Sequence, residues 1–324
     1  MNIPHKCTAI LISGPTATGK TDFALQLGQN LPIEIVNADI GSLYTPLTIG
    51  TAKPDYQQET IPHHFFDLLD TPVSWTAPQF REKLQLLLPE IWSRGNIPVI
   101  VGGSAFYIQS FFYRNYELAT PHPDIMAELE ARQPGDLWEE LHRIDPERAL
   151  EIDPHDQYRL VRALAIWRSE NKKPSSFKPI FDPLAACYFL NLTRDRDQLY
   201  AMIDQRVIKM IDAGWLDEVR SLLDDAAWTQ FLLHKKMIGY DLLALYLMGH
   251  CSEQSFDEIV ALIAQRTRNY AKRQITFLKK LAQNVELAAA QDQHFDLKII
   301  VQTCNLSLQD VSKCRENLVA VCKK

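Results

Sequence analysis

Apolar runs of strand length alternate with stretches of helical spacing in the first part of the chain. Residues 9–12 and 97–101 are apolar runs, residues 32–37 form a third strand candidate, and residues 77–94 place apolar side chains at helical intervals. Apolar runs without alternation are typical of strands buried on both faces, as in parallel sheets. A further run at 187–192 indicates a return to the same sheet. The pattern predicts an α/β fold with a parallel sheet flanked by helices.

The character of the chain changes between residues 120 and 185. Proline recurs there, and the stretches between prolines carry helical spacing without any strand-like run. Because proline interrupts helices, we predict an all-helical insertion built from short helices. The predicted organisation is a core domain in two parts at 1–119 and 186–290, the insertion at 120–185, and a C-terminal extension at 291–324. Helices are predicted at 124–132, 158–169, 197–213, 216–223, 239–247 and 256–281, with a last strand candidate at 298–301.

Residues 14–21 read Gly-Pro-Thr-Ala-Thr-Gly-Lys-Thr, a complete G-x-x-x-x-G-K-[ST] phosphate-binding loop. The loop follows a strand candidate and precedes a helical stretch, which is the context in which this motif binds phosphate. Together with the parallel-sheet pattern, the motif predicts a fold like that of the phosphate-loop NTPases. Its glycines let the backbone wrap a polyphosphate, while N–H groups and the helix N-terminus face the anion. Lys20 is expected to neutralise phosphate charge, and the Thr21 hydroxyl to ligate Mg²⁺. The predicted phosphate-binding residues are Gly14, Thr16, Thr18, Gly19, Lys20 and Thr21.

The acid that assists such a loop is not in its usual place. Phosphate-loop enzymes take Mg²⁺ help from an acid after a second apolar strand, but residues 97–101 end in Gly102-Gly103-Ser104. Asp39 follows residues 32–37 at the predicted carboxyl edge of the sheet, where ligands of α/β sheets bind. It is a candidate to accept a proton from a nucleophile, or else a turn or capping residue. The Gly102–Ser104 tract either presents donors to an anion or is a plain turn.

The composition of the chain is that of a globular protein and bears on its location and partners. Hydrophobic residues are 46% and charged residues 23% of the chain, which is ordinary for a globular protein. No segment has the pattern of a signal peptide or membrane span, and the six cysteines contain no C-x-x-C pair. We therefore expect a cytoplasmic monomer with reduced thiols and no membrane partner. The net charge of −6 means that nucleic-acid binding would require a local basic patch.

Residues 266–280 supply a candidate patch, because they carry six basic side chains and no acid. On a helix, positions 266, 273 and 280 fall on one side, and positions 268, 272 and 279 form a neighbouring stripe. This pattern indicates either contact with a polyanion or a solvated helix face. Lys235 and Lys236 add positive charge nearby in the sequence, and Arg159 and Arg162 lie one turn apart in the predicted insertion.

Several tracts together resemble the tRNA dimethylallyltransferases, also called tRNA isopentenyltransferases. The tracts run in family order from about residue 8 to residue 281 and include the phosphate loop. Beside the loop, the two most specific tracts are Gly50-Thr51-Ala52-Lys53-Pro54 and Ala271-Lys272-Arg273-Gln274. The others are Asn37-Ala38-Asp39, Pro62-His63-His64 with Asp67, Val101 to Ser104 with Tyr107, Asp156 to Leu164, Gln205-Arg206, Gly214 to Val219, and Ile238-Gly239-Tyr240.

The resemblance implies a Mg²⁺-dependent transfer of a dimethylallyl group from its diphosphate to N6 of the adenine 3′ of the anticodon in tRNA. It implies that the insertion binds the anticodon stem-loop and that the phosphate loop holds the diphosphate. By the same resemblance, Asp39 is the base at N6, and Ser104 and Arg206 assist at the leaving group. The residues predicted to contact tRNA are Lys53, Arg159, Arg162, Lys235, Lys236, Arg268, Lys272 and Arg273.

The chain departs from the family pattern next to the proposed base. The departures are Ile40, Ser42, Thr45-Pro46, Thr48, Ser104 and Asp241, of which Ser104 keeps a hydroxyl. Changes at 40–48 bear on tRNA contacts more than on diphosphate binding, so one alternative is a tRNA-binding relative with weakened catalysis. Another is a small-molecule kinase that uses the same loop. A kinase would need an arginine-rich lid, whereas acids outnumber bases in the predicted insertion.

Overall fold

A computed structural model describes residues 8–114, 121–235, 237–251, 253–291, 298–307 and 311–323. The chain divides into two units. The first is formed by Met1–Phe112 together with Pro183–Lys324, and the second by Tyr113–Asp182. The strands are β1 (Ala9–Ser13), β2 (Ile33–Asn37), β3 (His63–His64), β4 (Ile97–Gly102), β5 (Tyr113–Arg114), β6 (Ile180–Phe181), β7 (Cys187–Thr193) and β8 (Ile299–Asn305).

The helices of the described residues divide between the same two units. In the second unit they are α4 to α7, and the others belong to the first. Their bounds are α1 (Lys20–Gly28), α2 (Ala77–Ser93), α3 (Ala105–Phe112), α4 (Pro123–Glu130), α5 (Pro134–Ile144), α6 (Pro146–Leu150), α7 (Gln157–Glu170), α8 (Arg196–Asp212), α9 (Trp215–Leu222), α10 (Ala226–Lys235), α11 (Tyr240–Leu247), α12 (Phe256–Gln291) and α13 (Val311–Lys323). Within the described ranges, no helix combines the length and the apolar character needed to span a membrane.

The first unit is built on a six-stranded sheet in the order β3-β2-β4-β1-β7-β8. All neighbouring strands are parallel, and β1 lies between β4 and β7 with Ile12 beside Val101 and Leu190. Every residue of β1 and β2 is buried. On one face, strand side chains such as Ile12 pack with Phe23 of α1. The parallel α/β sheet predicted from the apolar runs is therefore confirmed.

In the first unit, α12, β8 and β3 are examples of elements that differ from the sequence prediction. Helix α12 continues to Gln291, ten residues beyond the predicted end at 281, because buried Ala282 and Val285 extend its apolar face. The strand predicted at 298–301 runs to Asn305 and adds β8 to the sheet beside β7. Strand β3 was not predicted, since two residues are too few to show a period.

The second unit, Tyr113–Asp182, has its own small core. Its helices bury a cluster that includes Leu137, Leu141, Leu160 and Leu164. It is not entirely helical, however, because β5 and β6 form an antiparallel ladder at its two chain ends. Each strand of that ladder has only two residues, so no sequence periodicity revealed it.

A buried carboxylate on β2 organises a polar cluster inside the first unit. Glu34 accepts hydrogen bonds from Arg94 Nε and Nη2, at 2.7 and 2.8 Å, and from Asn96 Nδ2 at 2.8 Å. His64 Nε2 lies 2.6 Å from the second carboxylate oxygen. These donors, Arg94 first, lower the pKa of Glu34 to about 2 despite its burial. These contacts explain how β2 can carry a charged residue, Glu34, at a fully buried position.

We expect this cluster to make stability fall in acid. The folded-state pKa of Glu34 lies below the ordinary value of 4.5, so its contribution is present above pH 4.5 and is lost as the pH falls toward 2. Because the Arg94 side chain is 44% exposed, solvent reduces the effect to about 1–2 kcal/mol between pH 6 and pH 3. Urea unfolding should show that wild type loses this much more than Glu34→Gln over that range. Equal losses would mean that Glu34 is not the titrating group.

Gly102 ends β4 at a point where no side chain fits. A Cβ at this position would lie 2.2 Å from the carbonyl carbon of Ala38 and 2.3 Å from its oxygen. We expect Gly102→Ala to destabilise the fold by about 1–3 kcal/mol, because the backbone must move apart. The matched control is Gly135→Ala, since a Cβ there meets nothing within 4 Å. Thermal unfolding should show a lower melting temperature for Gly102→Ala and not for Gly135→Ala. Equal decreases in the two variants would contradict the close approach of Gly102 to Ala38.

Candidate active site

Three loops meet at the carboxyl edge of the sheet, where the phosphate loop follows β1, Asp39 follows β2, and Gly103-Ser104 follows β4. They border a cavity of about 830 Å³ within the first unit. Of the residues predicted from the sequence, the cavity is lined by Thr16, Gly19, Lys20, Thr21, Asp39, Ser104, Arg206, Lys235 and Arg273. The structure thus gathers the candidate base, the candidate leaving-group residues and the phosphate loop around one space.

The phosphate loop is held in shape by its own contacts. Gly14 has a φ of 155°, and a Cβ there would lie 2.4 Å from the carbonyl oxygen of Leu192. Gly19 has a φ of 92° and is the N-cap residue immediately before α1, so glycine is favoured at both positions. The Thr18 hydroxyl is buried and donates to the Pro15 carbonyl at 2.8 Å, which makes it a brace of the loop. Lys20 Nζ donates to the same carbonyl at 3.0 Å.

Gln274 of α12 connects this loop to the neighbouring one. Its Oε1 accepts from the Thr16 N–H at 2.9 Å, and its Nε2 donates to the Gly103 carbonyl at 2.8 Å. The Gly103 N–H in turn donates to Asp39 Oδ1 at 2.5 Å. The side chain is 3% exposed, so an amide that is both donor and acceptor holds the phosphate loop in register with Asp39. The sequence analysis did not identify Gln274 as a site residue, although it ends the Ala-Lys-Arg-Gln tract.

Asp39 is fixed on both sides. Its N–H donates to Asn37 Oδ1 at 2.9 Å, and its Oδ1 is engaged by Gly103. The other carboxylate oxygen has no hydrogen-bond donor among the described residues, and Asp39 lines the cavity. Beside it, Ser104 Oγ accepts from the Ile40 N–H at 3.0 Å, which leaves the Ser104 hydroxyl hydrogen available to a ligand. One oxygen of Asp39 is therefore structural, and the other is available for chemistry.

The charges around Asp39 are coupled. Burial lowers the pKa of Lys20, and Asp39 opposes that shift. Burial also lowers the pKa of Arg206, again opposed by Asp39 and then by Asp22. The pKa of Tyr270 is raised, first by burial and then by Asp39. Two cations are thus held partly desolvated near a single carboxylate, which favours binding of an additional anion.

The rest of the cavity wall is largely apolar, and Glu218 fixes one part of it. The Glu218 carboxylate accepts hydrogen bonds from three successive backbone N–H groups, those of residues 48–50, at 2.6 to 3.1 Å. It also accepts from the Tyr240 hydroxyl at 2.6 Å. Gly50 packs so closely under Trp215 that a Cβ would lie 1.9 Å from Nε1. Residues that the sequence analysis had not placed at the site therefore form a rigid wall, among them Trp215, Tyr240, Met237 and Phe231.

The other residues predicted to contact tRNA are spread more widely. Lys272 is exposed on α12, whereas Arg268 of the same helix is paired with Asp204. In the second unit, Arg159 and Arg162 are exposed on α7, and Arg159 also pairs with Asp156 at 3.3 Å. Lys236 lies outside the described residues.

Lys53 requires a correction to its predicted role. Its side chain is 3% exposed, and its amine pairs with Asp67 and donates to the Tyr44 and Thr45 carbonyls. All three ammonium hydrogens are therefore used inside the fold. This burial does not fit direct contact with tRNA, and Lys53 instead ties the 44–45 and 53–54 segments together.

Comparisons with known proteins agree on one family. The family model described as IPP transferase matches residues 42–281. A tRNA dimethylallyltransferase of Geobacter metallireducens is 37% identical over 290 residues, which cover 86% of this chain and 92% of the relative. A tRNA dimethylallyltransferase of Thermotoga petrophila is 33% identical over 312 residues, covering 95% of each chain.

Solved structures give the same result. A tRNA isopentenylpyrophosphate transferase of Staphylococcus epidermidis superposes with a TM-score of 0.63 at 28% identity, over 97% of this chain and 98% of the other. A eukaryotic dimethylallyltransferase acting on tRNA superposes with a TM-score of 0.72 at 26% identity, over 92% of this chain and 74% of the other. The similarity therefore extends over nearly the whole chain.

Proposed function

The chain belongs to the IPP transferase family, and we propose that its cavity transfers a dimethylallyl group from dimethylallyl diphosphate to tRNA. The acceptor is N6 of the adenine that lies 3′ of the anticodon, and pyrophosphate is released. The observation that carries the proposal is the hydrogen-bonded connection from the phosphate loop through Gln274 and Gly103 to Asp39. This connection supports the proposal, because it holds the uncommitted Asp39 oxygen next to the loop that we propose binds the diphosphate.

The leaving group explains why the cavity concentrates positive charge. The adenine amino group is a weak nucleophile, because its lone pair is delocalised into the ring. The reaction therefore depends on an allylic carbon that tolerates positive charge and on stabilisation of the departing pyrophosphate. As the C1–O bond breaks, the loop N–H groups, Lys20, Arg206 and the Ser104 hydroxyl receive the charge that develops on oxygen. Lys20 exchanges its donation to Pro15 for one to phosphate.

Asp39 acts at the other end of the reacting system. Its uncommitted oxygen accepts the N6–H hydrogen bond of adenine and orients the nitrogen toward the allylic carbon. The proton moves to this carboxylate as the C–N bond forms, so the positive charge does not remain on the base. Because the Gly103 N–H holds the other oxygen, little reorientation is needed at that moment.

A divalent cation fits the donor set of the loop. The Thr21 hydroxyl lines the cavity at the first turn of α1, and the described residues hold no cluster of three or more His, Cys, Asp or Glu side chains suited to a metal. Mg²⁺ is bound by one or two protein oxygens together with substrate phosphates and water, so we propose Thr21 as its protein ligand. When bound, Mg²⁺ would neutralise charge on the pyrophosphate. Cytoplasmic location and a monomeric state remain predictions.

The acceptor must enter the cavity as an unstacked base. An adenine within a folded RNA loop presents N6 to an enclosed site only after it leaves the stack. The aromatic residues Trp75 and Phe66 on the cavity wall are only partly buried, so their rings are suited to contact a planar base. The size of the cavity, about 830 Å³, is within the range of sites that enclose a small ligand.

Two labelled donors separate this function from a kinase. Purified protein is incubated with unmodified tRNA and either dimethylallyl diphosphate labelled in its prenyl group or ATP labelled in its γ-phosphate. We expect prenyl label in the tRNA fraction and no transfer from ATP. Transfer of the ATP label to a small molecule or to RNA, without prenyl transfer, would overturn the proposal.

A further inference from the structure

A second, smaller cavity adjoins the first along α12. It has a volume of about 260 Å³ and is lined by Ile238, Arg266, Asn269 and Arg273. Ile238 and Arg273 also line the larger cavity, so the two spaces share a wall. The three polar residues are at positions i, i+3 and i+7 of one helix, which places them on a single face. Neither Arg266 nor Asn269 belongs to the site described above.

Both arginines are held in place by contacts that leave donors available. Arg266 Nη1 pairs with Asp241 Oδ2 at 2.7 Å, and the Asp241 side chain is 8% exposed. The guanidinium of Arg273 lies over the Tyr270 ring, 5.9 Å from its centroid. A guanidinium carries five N–H groups, and each of these contacts uses one N–H or none. The remaining donors of two arginines and the Asn269 amide are thus available on one helix face.

The charge of this cluster favours an anion. Arg266 and Arg273 contribute two positive charges, and Asp241 is paired with Arg266, so the cluster is left with one net positive charge. No acid is among the residues that line the cavity in the described part of the chain. Two guanidinium forks with an amide between them match the oxygens of a phosphate group, which arginine binds through paired hydrogen bonds.

We propose that Arg266, Asn269 and Arg273 form a binding site for a backbone phosphate of the RNA acceptor, next to the adenine that enters the larger cavity. This inference rests on the proposed function, because it requires RNA at the larger cavity. The diphosphate donor already has its own binding loop at residues 14–21, while the second cavity is exposed on the basic face of α12. A phosphate contact fixes register without reading sequence, so this site positions the flipped adenine rather than selecting the tRNA.

The first test measures how tRNA binding depends on salt. Each phosphate contact contributes about 0.7–0.9 to the slope of log K against log salt concentration. We expect Arg266→Gln to reduce the slope by about this amount and to weaken tRNA binding about tenfold at low salt. Arg266→Lys keeps the charge and should keep the slope. The matched control is Arg220→Gln, because Arg220 pairs with Asp217 on the exposed face of α9 and lines neither cavity. A slope that is unchanged in Arg266→Gln would overturn the proposal.

The second test identifies the phosphate itself. Anticodon stem-loop RNAs each carry one neutral methylphosphonate at a linkage near the target adenine, and their binding to wild type and to Arg266→Gln is compared in double-mutant cycles. At one linkage the neutral group should weaken binding to wild type but not to the variant. Purely additive losses at every linkage would contradict the proposal.

The outcomes separate this site from the function on which it rests. Wild type could transfer the dimethylallyl group while Arg266→Gln leaves the salt slope unchanged and the cycles show only additive losses. In that case the proposal of a phosphate site is wrong and the proposed function stands. If Arg266→Gln also loses thermal stability, Arg266→Lys decides, because it tests charge without removing the partner of Asp241. In that case a slope retained in Arg266→Lys supports the site, and a slope lost in Arg266→Lys contradicts it.

Discussion

Asp39→Asn should slow dimethylallyl transfer by about 10²- to 10⁴-fold, the usual contribution of a general base. Asparagine keeps an oxygen that can accept from the Gly103 N–H, so the connection through Gln274 to the phosphate loop should survive. What is lost is the carboxylate oxygen that we propose as the acceptor of the N6 proton. We therefore expect kcat to fall while the affinity for dimethylallyl diphosphate changes little. Single-turnover transfer and equilibrium binding of the diphosphate measure the two quantities separately.

Two further variants make this result interpretable. Asp39→Ala removes the hydrogen-bond acceptor as well as the base, so it should impair the Gly103 loop and reduce diphosphate binding more than Asp39→Asn does. Asp212→Asn makes the same charge change at an exposed position near the end of α8 and should leave transfer unchanged. If Asp39→Asn lost diphosphate binding and transfer in equal measure, Asp39 would serve the loop or the metal rather than the proton transfer.

Lys20→Met, in contrast, should weaken diphosphate binding as well as transfer. Methionine is close in length and fits a buried position, but it removes the cation that we propose stabilises the departing pyrophosphate. We expect both the affinity for dimethylallyl diphosphate and kcat/KM to fall, the latter by about 10²- to 10³-fold, as when a preorganised transition-state donor is lost. Binding of pyrophosphate alone should weaken as well. Titration with each ligand and steady-state kinetics check these expectations.

The control for this variant is Lys209→Met, which removes an exposed lysine from α8. It should match wild type in both assays. Normal pyrophosphate affinity in Lys20→Met would show that the buried amine does not reach the phosphates and remains on the Pro15 carbonyl. The contrast between Asp39→Asn, which spares binding, and Lys20→Met, which does not, separates the residue proposed to accept the proton from the residue proposed to bind the diphosphate.

How far the sequence could predict this site depended on the distance between its residues along the chain. The phosphate loop, the strand before it and the helix after it are contiguous, so one window of sequence contained their whole context. Asp39 could be placed because parallel strands bring their carboxyl ends to one edge. Gln274 is 258 positions away from Thr16, and no local pattern reveals such a contact. The Glu218 contacts to the 48–50 segment were hidden for the same reason.

The sequence pattern also could not predict which basic residues form ion pairs in the folded protein. Residues 266–280 contain no acid, yet Arg266 and Arg268 are paired with Asp241 and Asp204 of other helices. Lys53 has a side chain of the type that contacts RNA, but this side chain is buried and paired with Asp67. A charge run shows how many cations a helix carries, whereas tertiary packing decides which of them remain available. That distinction selected Arg266 from the basic patch found in the sequence, and added Asn269, which the pattern of charges could not indicate.

The departures from the family pattern leave the chemical centre complete. Ile40 and Ser42 belong to a short 3₁₀ helix, and the Ile40 N–H is bonded by Ser104, which keeps the family hydroxyl. Thr48 donates its N–H to Glu218, a bond that does not depend on its side chain. These contacts favour an active transferase over a relative with weakened catalysis. Any change in specificity would then concern tRNA rather than the donor.

Nucleoside analysis of the product tests the central claim most directly. Unmodified tRNA is incubated with purified protein, Mg²⁺ and dimethylallyl diphosphate, digested to nucleosides and examined by mass spectrometry. The proposed function predicts N6-dimethylallyladenosine, mapped to the adenine 3′ of the anticodon, with wild type and its near absence with Asp39→Asn at the same time points. Tight binding of tRNA and dimethylallyl diphosphate by wild type, with no modified adenosine recovered, would contradict it.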